Sequence, residues 1–325
     1  MEIPEFIMRV HSYCEIALSY VSWNNIKTFL NSHFFTAVSG SLAGAFAGAY
    51  IAQRIAKRNK NRDELLLEIR NTNSAISLSL NICNSLIKTK KQNIKPLKDE
   101  FSKSKAEINE VMQKIQTGEI ERNSLSHKFT FKYNLQFLPV PWLPTDALQN
   151  QIFEKISIGN RPFSAFISLL ESTRLLQESI KNRNQLIEQY KVNSEPENPE
   201  FYKRYFGLPY GTGHVDLVYL NLIDNLYSYC DDAIFFSHLL CTDLIKSGEA
   251  LSTKFKQKFG NKAPSITTVD FTKSIVDGLI PSNEVYINWL NCFVESNNLH
   301  KSTTRFKKCL DHLLRTNRFP RKSNK

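Results

Sequence analysis

The sequence predicts a mainly α-helical protein in which a single N-terminal transmembrane helix precedes a helical cytoplasmic domain with one short β element. Three observations lead there. Residues 34–52 carry no charged side chain, apolar residues recur at helical spacing over most of the chain beyond them, and residues 128–138 alternate at the period of a strand. With 325 residues and 42% hydrophobic content the chain can bury a substantial core. Its 42 Lys and Arg against 31 Asp and Glu give a net charge of +11, which suits anionic lipid, nucleic acid or an acidic protein surface better than a neutral small molecule. The cysteines, Cys14, Cys83, Cys230, Cys241, Cys292 and Cys309, form no CxxC pair. A zinc ribbon and a thioredoxin-like motif are thereby excluded, and reduced thiols in a cytosolic compartment are expected.

The uncharged stretch is long enough to cross a bilayer, since about twenty helical residues at about 1.5 Å each cover a hydrocarbon core of about 30 Å. Phe34, Phe35, Val38, Leu42, Phe46 and Ile51 supply most of its apolarity. Trp23 and Tyr50 suit the two interfaces, and Arg54, Lys57, Arg58, Lys60 and Arg62 come next with no acid among them. Only Arg9 and Lys27 precede the span, so the positive-inside rule sets residues 54–325 in the cytoplasm, with the basic run against anionic lipid. A cleaved signal peptide orders its charges the other way. Residues 1–33 read as an amphipathic segment at the membrane surface and 34–53 as the span. Gly40, Gly44 and Gly48 recur every four residues beside Ser41, Ala45 and Ala49, a doubled GxxxG groove. Self-association of the span is the sharp expectation. Packing on the chain's own N-terminal segment, simple tolerance of small residues, and a glycine-lined pore are the others.

Beyond the span, Leu65, Ile69, Ile76, Leu80, Cys83 and Ile87 hold helical spacing, Pro96 suits a break, and Phe101, Ile108, Met112 and Ile115 precede a stop at Gly118. Residues 54–118 are thus expected as a long helix with an antiparallel partner. The stretch "GAFAGAYIAQRIAKRNKNRDELLLEIRNTNSAISLSLNICNSLI" resembles the N-terminal part of uncharacterised bacterial membrane-anchored proteins. That resemblance covers under a fifth of the chain, brings no assigned activity, and implies a bacterial inner-membrane setting. Over 128–138, Phe129, Phe131, Tyr133, Leu135 and Phe137 share one face of a strand that either pairs with an unrecognised partner or wraps over helices. "PVPWLP" then ends regular structure. Helices resume at Asp146, read as an N-cap, and again at Pro162, completing a lobe over 119–190. Residues 191–200 are a hydrophilic linker, and 201–325 form a C-terminal lobe whose central helix, from His214 to Ser247, is apolar almost all round.

Asp224, Asp231 and His238 fall at seven-residue steps and line one stripe of that helix. Seven residues are about 10.5 Å along the axis, too far for two of them to share a metal ion from this helix alone, so neither metal nor cofactor is expected. The ordinary reading is acids paired with Arg161, Arg174 or Arg183, or a polar seam; the other is a functional cleft. His238 with Cys241, and His214 with Asp216, are further two-residue fragments. No phosphate-binding glycine loop, nucleophile elbow or HExxH is present. The tail, 301–325, has nine Lys and Arg against one Asp. Its stripe of Phe306, Leu310, Leu313 and Leu314 suits docking on the domain, leaving Arg305, Lys307, Lys308, Arg315 and Arg318 for lipid, a protein or, second, nucleic acid.

These residues describe a self-associating single-pass membrane protein whose helical domain binds a protein partner, an architecture that fits an effector in stress or phage defence, although no residue encodes that setting. The competing class is a soluble or peripheral enzyme with an Asp/His cleft built from Asp224, Asp231, His238 and His214. Gathering of those four around one cavity favours the enzyme, whereas separate, ion-paired positions favour binding.

Overall fold

A computed structural model describes residues 23–119, 132–198, 200–210, 213–260 and 262–293 and is mainly helical. The chain divides into two compact units, one up to Leu65 and the other from Leu66 onward. In the first, α1 (Trp23–Leu30) leads into α2 (His33–Thr89) through a capped corner. Ser32 Oγ accepts from the Phe35 N–H at 3.1 Å and donates to the Phe29 carbonyl at 2.7 Å, with the Phe29 and Phe35 rings 5.5 Å apart. Such a cap satisfies a helix-start donor that has no partner within the helix. Only the end of the expected N-terminal amphipathic segment is seen, because residues 1–22 lie outside the described residues.

The second unit is a bundle whose first helix is the part of α2 after Leu66. Ile69, Ile76, Cys83, Lys90 and Leu97, seven residues apart, are all buried. At Lys90–Ile94 the helix widens into one π turn and continues as α3 (Lys95–Gln116). The Lys95 N–H donates to the Lys90 carbonyl, five residues back, so the chain passes Pro96 without breaking. The antiparallel partner expected after Pro96 is therefore not formed: a wide turn, rather than a reversal, accommodates the missing proline donor. Gly118 adopts φ +80° just past the end of α3, the left-handed position that glycine enters without strain.

Two more helices come next, α4 (Thr145–Glu154) and α5 (Asn160–Val192). Asp146 sits in the first turn of α4 rather than at its cap, where its charge still favours the helix start. After a short 3₁₀ turn (Glu195–Glu197) come α6 (Phe201–Phe206), the strands β1 (Pro209–Tyr210) and β2 (His214–Val215), and the long α7 (Val218–Phe259). The strands pair antiparallel, Pro209 opposite Val215 and Tyr210 opposite His214. Helix α7 is the central element. Ser79 Oγ donates to the Ser237 carbonyl at 2.9 Å, Cys230 reaches the Leu86 carbonyl and Cys241 the Ile76 carbonyl, so α7 runs antiparallel to α2. On the other side Arg161 pairs with Asp243 and Arg183 with Tyr219, so α7 is antiparallel to α5 as well. The α2–α7 seam is close because its residues are small: Ala75, Ser79 and Cys83 face Ala233, Ser237 and Cys241. At Gly248 an added Cβ would lie 3.2 Å from Ile266 and 3.4 Å from Thr72, leaving room for hydrogen only.

The strand expected over 128–138 is corrected by the structure. Residues 132–138 belong to no regular element and pair with no strand, and 128–131 lie outside the described residues. A lone strand has no ladder, so side chains of α5 take its place. Arg183 donates to the Gln136 carbonyl at 2.8 Å and the Asn134 carbonyl at 2.9 Å. Asn184 accepts from the Leu138 N–H at 2.9 Å and donates to the Leu138 carbonyl at 2.8 Å. Gln177 donates to the Pro141 carbonyl at 3.1 Å. The alternation still shows, with Tyr133 and Leu135 half-buried, but Phe137 is exposed beneath the Lys191 ammonium, 4.4 Å from its ring centroid. The hydrophilic 191–200 stretch separates no lobes: Arg204 holds Glu195 at 3.0 Å, and α5 and α7 on either side pack together.

Arg183 is 0% exposed, and its guanidinium also reaches the Tyr219 hydroxyl at 3.2 Å, itself 3.0 Å from the Tyr205 hydroxyl. Replacing it by Met strands two carbonyls and loosens residues 132–137, upstream of the points held by Asn184 and Gln177. Arg183→Met is expected to lower unfolding stability by about 3 kcal/mol. Urea titration checks the loss, and limited proteolysis should gain a first cut within 132–137; an unchanged midpoint and cleavage pattern would contradict the role.

Candidate functional site

Among the described residues, one helix, His33–Gln116, is long and apolar enough to cross a membrane. None of its apolar window is buried within the protein. Phe34 and Phe46 are each 70% exposed, and Leu42, Tyr50, Ile51 and Ile55 are exposed beside them. The polar residues of this stretch satisfy themselves locally. Ser39 Oγ donates to the Phe35 carbonyl at 2.7 Å, Ser41 Oγ to the Val38 carbonyl at 2.9 Å and Thr36 Oγ1 to the Ser32 carbonyl at 3.1 Å. Hydroxyls bonded back to the preceding turn need no water. At Gly40, Gly44 and Gly48 an added Cβ would meet nothing within 4 Å, so intramolecular packing does not require glycine there. Arg54, Lys57, Arg58, Lys60 and Arg62 are all exposed, with a single 3.9 Å approach of Lys60 to Glu64.

The acids and histidines of α7 are held by separate partners. Asp224 pairs with Lys98 of α3. Asp231 lies 2.6 Å from the Lys90 ammonium, which is 3% exposed, donates to the Leu279 carbonyl at 3.2 Å and faces the Tyr227 ring at 5.2 Å. Burial pushes the Asp231 carboxyl up, and Lys90 opposes that shift. Asp232 accepts from the Tyr286 hydroxyl at 2.6 Å. Asp243 is gripped by two donors of Arg161, whose pKa that bond raises. His238 stands edge-on to Phe271, ring centroids 4.6 Å apart, and its pKa is lowered by burial. His214 lies in the hairpin beside Tyr210.

None of the three arginines expected to pair with Asp224 and Asp231 does so: Arg161 holds Asp243 instead. Arg174 bonds Glu171 and Glu178 on its own helix, while Arg183 serves backbone carbonyls. Lysines from the α2–α3 helix fill the gap, which sequence reasoning missed. A signal for Lys90 exists, since it falls on the seven-residue stripe through Ile76, Cys83 and Leu97 and must point inward. Cys241 is pushed up to about 12 by burial, which disfavours a thiolate beside His238. Among the described residues, no three His, Cys, Asp or Glu side chains are gathered as a metal ion would need. The basic tail residues Arg305, Lys307, Lys308, Arg315 and Arg318 lie outside the described residues. Compared with known proteins, the chain matches no family model, curated sequence or solved structure.

Two measurements test this assignment of structural roles. Lys90→Met leaves Asp231 uncompensated and is expected to cost about 3 kcal/mol, whereas Lys90→Met with Asp231→Leu should recover most of it. Equal losses in the single and double variants, read by urea denaturation, would contradict the coupling. Burial holds the folded His238 below the ordinary 6.5, so the unfolded chain takes up this proton first as pH falls. The stability His238 contributes is present above 6.5 and is lost as pH falls through its lower folded value. Between about pH 7.5 and about pH 5.5 the wild-type midpoint should fall further than that of His238→Gln. Parallel curves would rule the contribution out.

Proposed function

We propose that the chain is a single-pass protein of a bacterial inner membrane whose apolar helix self-associates and whose helical domain, on the cytoplasmic side, binds a protein partner. One observation carries the reading: none of a nineteen-residue uncharged stretch of α2, bearing Phe34, Leu42, Phe46 and Ile51, is buried, and all of it but the half-buried Phe35 is exposed. In water such a surface is a liability, and in hydrocarbon it is the favoured state. The self-bonded hydroxyls support it, as do the five exposed cations after the stretch. The open glycine stripe supports association, because close backbone approach is a main source of attraction between helices in lipid. Binding rather than catalysis is supported by the separate partners of Asp224, Asp231, His238 and His214. A catalytic group needs a partner within about 3 Å; the two acids spend that contact on structural lysines, and the two histidines stand against separate aromatic rings.

Carbonate extraction of cell membranes, with a reporter fused after Lys325, tests residence and orientation. The chain should stay in the pellet with the reporter active in the cytoplasm, and release into the supernatant would end the membrane reading. Gly44→Ile should sharply reduce cross-linked dimer in membranes without changing pelleting, since a branched side chain in the groove forces the backbones apart. If dimer yields stay equal, assembly does not run through this helix. With protein levels matched, Asp231→Asn and His238→Gln should leave the cellular phenotype intact; its loss would favour the enzyme instead.

A further inference from the structure

The segment 262–293 returns along α7 as a strap and carries two short helices, α8 (Thr272–Val276) and α9 (Ile287–Asn291). It is fastened at points. Asn73 donates to the Ser265 carbonyl at 2.9 Å and accepts from the Thr267 N–H at 3.0 Å. Lys90 holds the Leu279 carbonyl, Tyr286 stacks on Phe235 with centroids 3.7 Å apart, and Trp289 meets Phe236 at 5.1 Å. Its own Leu279 and Ile280 are buried.

Several of its other side chains are exposed. Within residues 275–287, Ile275 is 52% exposed, Val276 80%, Val285 72% and Ile287 48%. The exposed acids Asp270, Asp277 and Glu284 accompany them, with Lys273 the one basic residue between positions 270 and 287. Immediately downstream, "TRFKKCLDHLLRTNRF" (304–319) has the opposite character: an apolar stripe of Phe306, Leu310, Leu313 and Leu314, flanked by Arg305, Lys307, Lys308, Arg315 and Arg318, with one acid, Asp311. Ten residues, 294–303, connect the two, a tether that extends at most about 35 Å and favours an intrachain encounter over capture of a second molecule.

We propose that residues 304–319 dock as an amphipathic helix on these exposed side chains of the strap. The stripe covers Ile275, Val276, Val285 and Ile287, and the basic flank meets Asp270, Asp277 and Glu284. Three independent features select this occupant: apolar surface on both sides, opposite charge, and a short tether. The inference stands whether or not α2 crosses a bilayer. Its consequence is that the tail cations are engaged by the chain's own acids, and an anionic ligand gains them only by displacing the helix.

The native Cys309 lies beside the stripe and supplies the test. In the full-length chain carrying Cys14→Ser and Cys292→Ser, Val276→Cys should form an intrachain disulfide with Cys309 on copper-phenanthroline oxidation, identified by peptide mass spectrometry. Val192→Cys, 76% exposed at the end of α5, is the control and should link far less. Leu310→Asp with Leu313→Asp should abolish the 276–309 link. Equal linking at 192 and 276, or a link indifferent to the aspartates, would overturn the proposal. Links only between two chains would give the surface to a second copy, and protection of position 276 from maleimide only with anionic vesicles would give it to a bilayer; either result also overturns it. Hydrogen exchange guards against a variant that misfolds: the unsubstituted chain should protect residues 272–290 more than the Leu310→Asp, Leu313→Asp chain does, and equal protection would count against docking.

Discussion

An ammonium group with 3% side-chain exposure is costly unless its environment replaces the lost water, and the surroundings of Lys90 do so from three directions. Asp231 of α7 supplies the opposite charge at 2.6 Å, the strap supplies the Leu279 carbonyl, and Tyr227 supplies a ring face. Helix α2, helix α7 and the strap are thus tied at one atom. Sliding α2 past α7 by a turn would leave the charge facing apolar residues such as Ile234, so the pair acts against false registers as well as for the correct one. The seam of small side chains depends on that register, because Ser79 meets the Ser237 carbonyl and Thr72 meets Gly248 only when the helices are so aligned. The π turn begins at Lys90 itself, so the anchor residue and the irregularity that carries the helix past Pro96 coincide.

The same economy governs three further acids of α7. Each is answered by a group from a different element, α3 for Asp224, the strap for Asp232 and α5 for Asp243, so the charges on the central helix work as fasteners along its length. Fasteners and catalytic groups make opposing demands. A catalytic acid or base keeps a face open to substrate, whereas Asp243 has two donors of Arg161 on its carboxylate and His238 is packed in a T-shaped contact with Phe271. Among the described residues, the uncharged stretch of α2, Phe35 apart, and the basic run after it lie exposed, with no such fasteners on their apolar side chains.

Much of this was legible in the amino-acid order. The central helix could be recognised because α7 is apolar nearly all round, and the stop at Gly118 because only glycine relaxes at that backbone angle. The stripe through Ile69, Ile76 and Cys83 reads directly as a buried face. What escaped reading depends on partners remote in sequence. The period of two over 128–138 says nothing of what satisfies the backbone of its described part; the answer lies about fifty residues on, in Arg183 and Asn184. A proline after a lysine run looks like a break, and only the wide turn before it shows otherwise. Lys98 and Lys90 could not be matched to Asp224 and Asp231 without knowing that α3 continues α2 along the same flank of α7.

The α2–α7 seam has a consequence for the thiols set in it. Cys83, Cys230 and Cys241 are fully buried, and burial pushes the first up to about 11 and the other two up to about 12. At neutral pH they are protonated and shielded, so an alkylating reagent meets them only while the two helices are apart. Their labelling rates therefore serve as a built-in clock for the breathing of the bundle. The three positions time separate levels of the seam, and the level that labels first is where the helices begin to part.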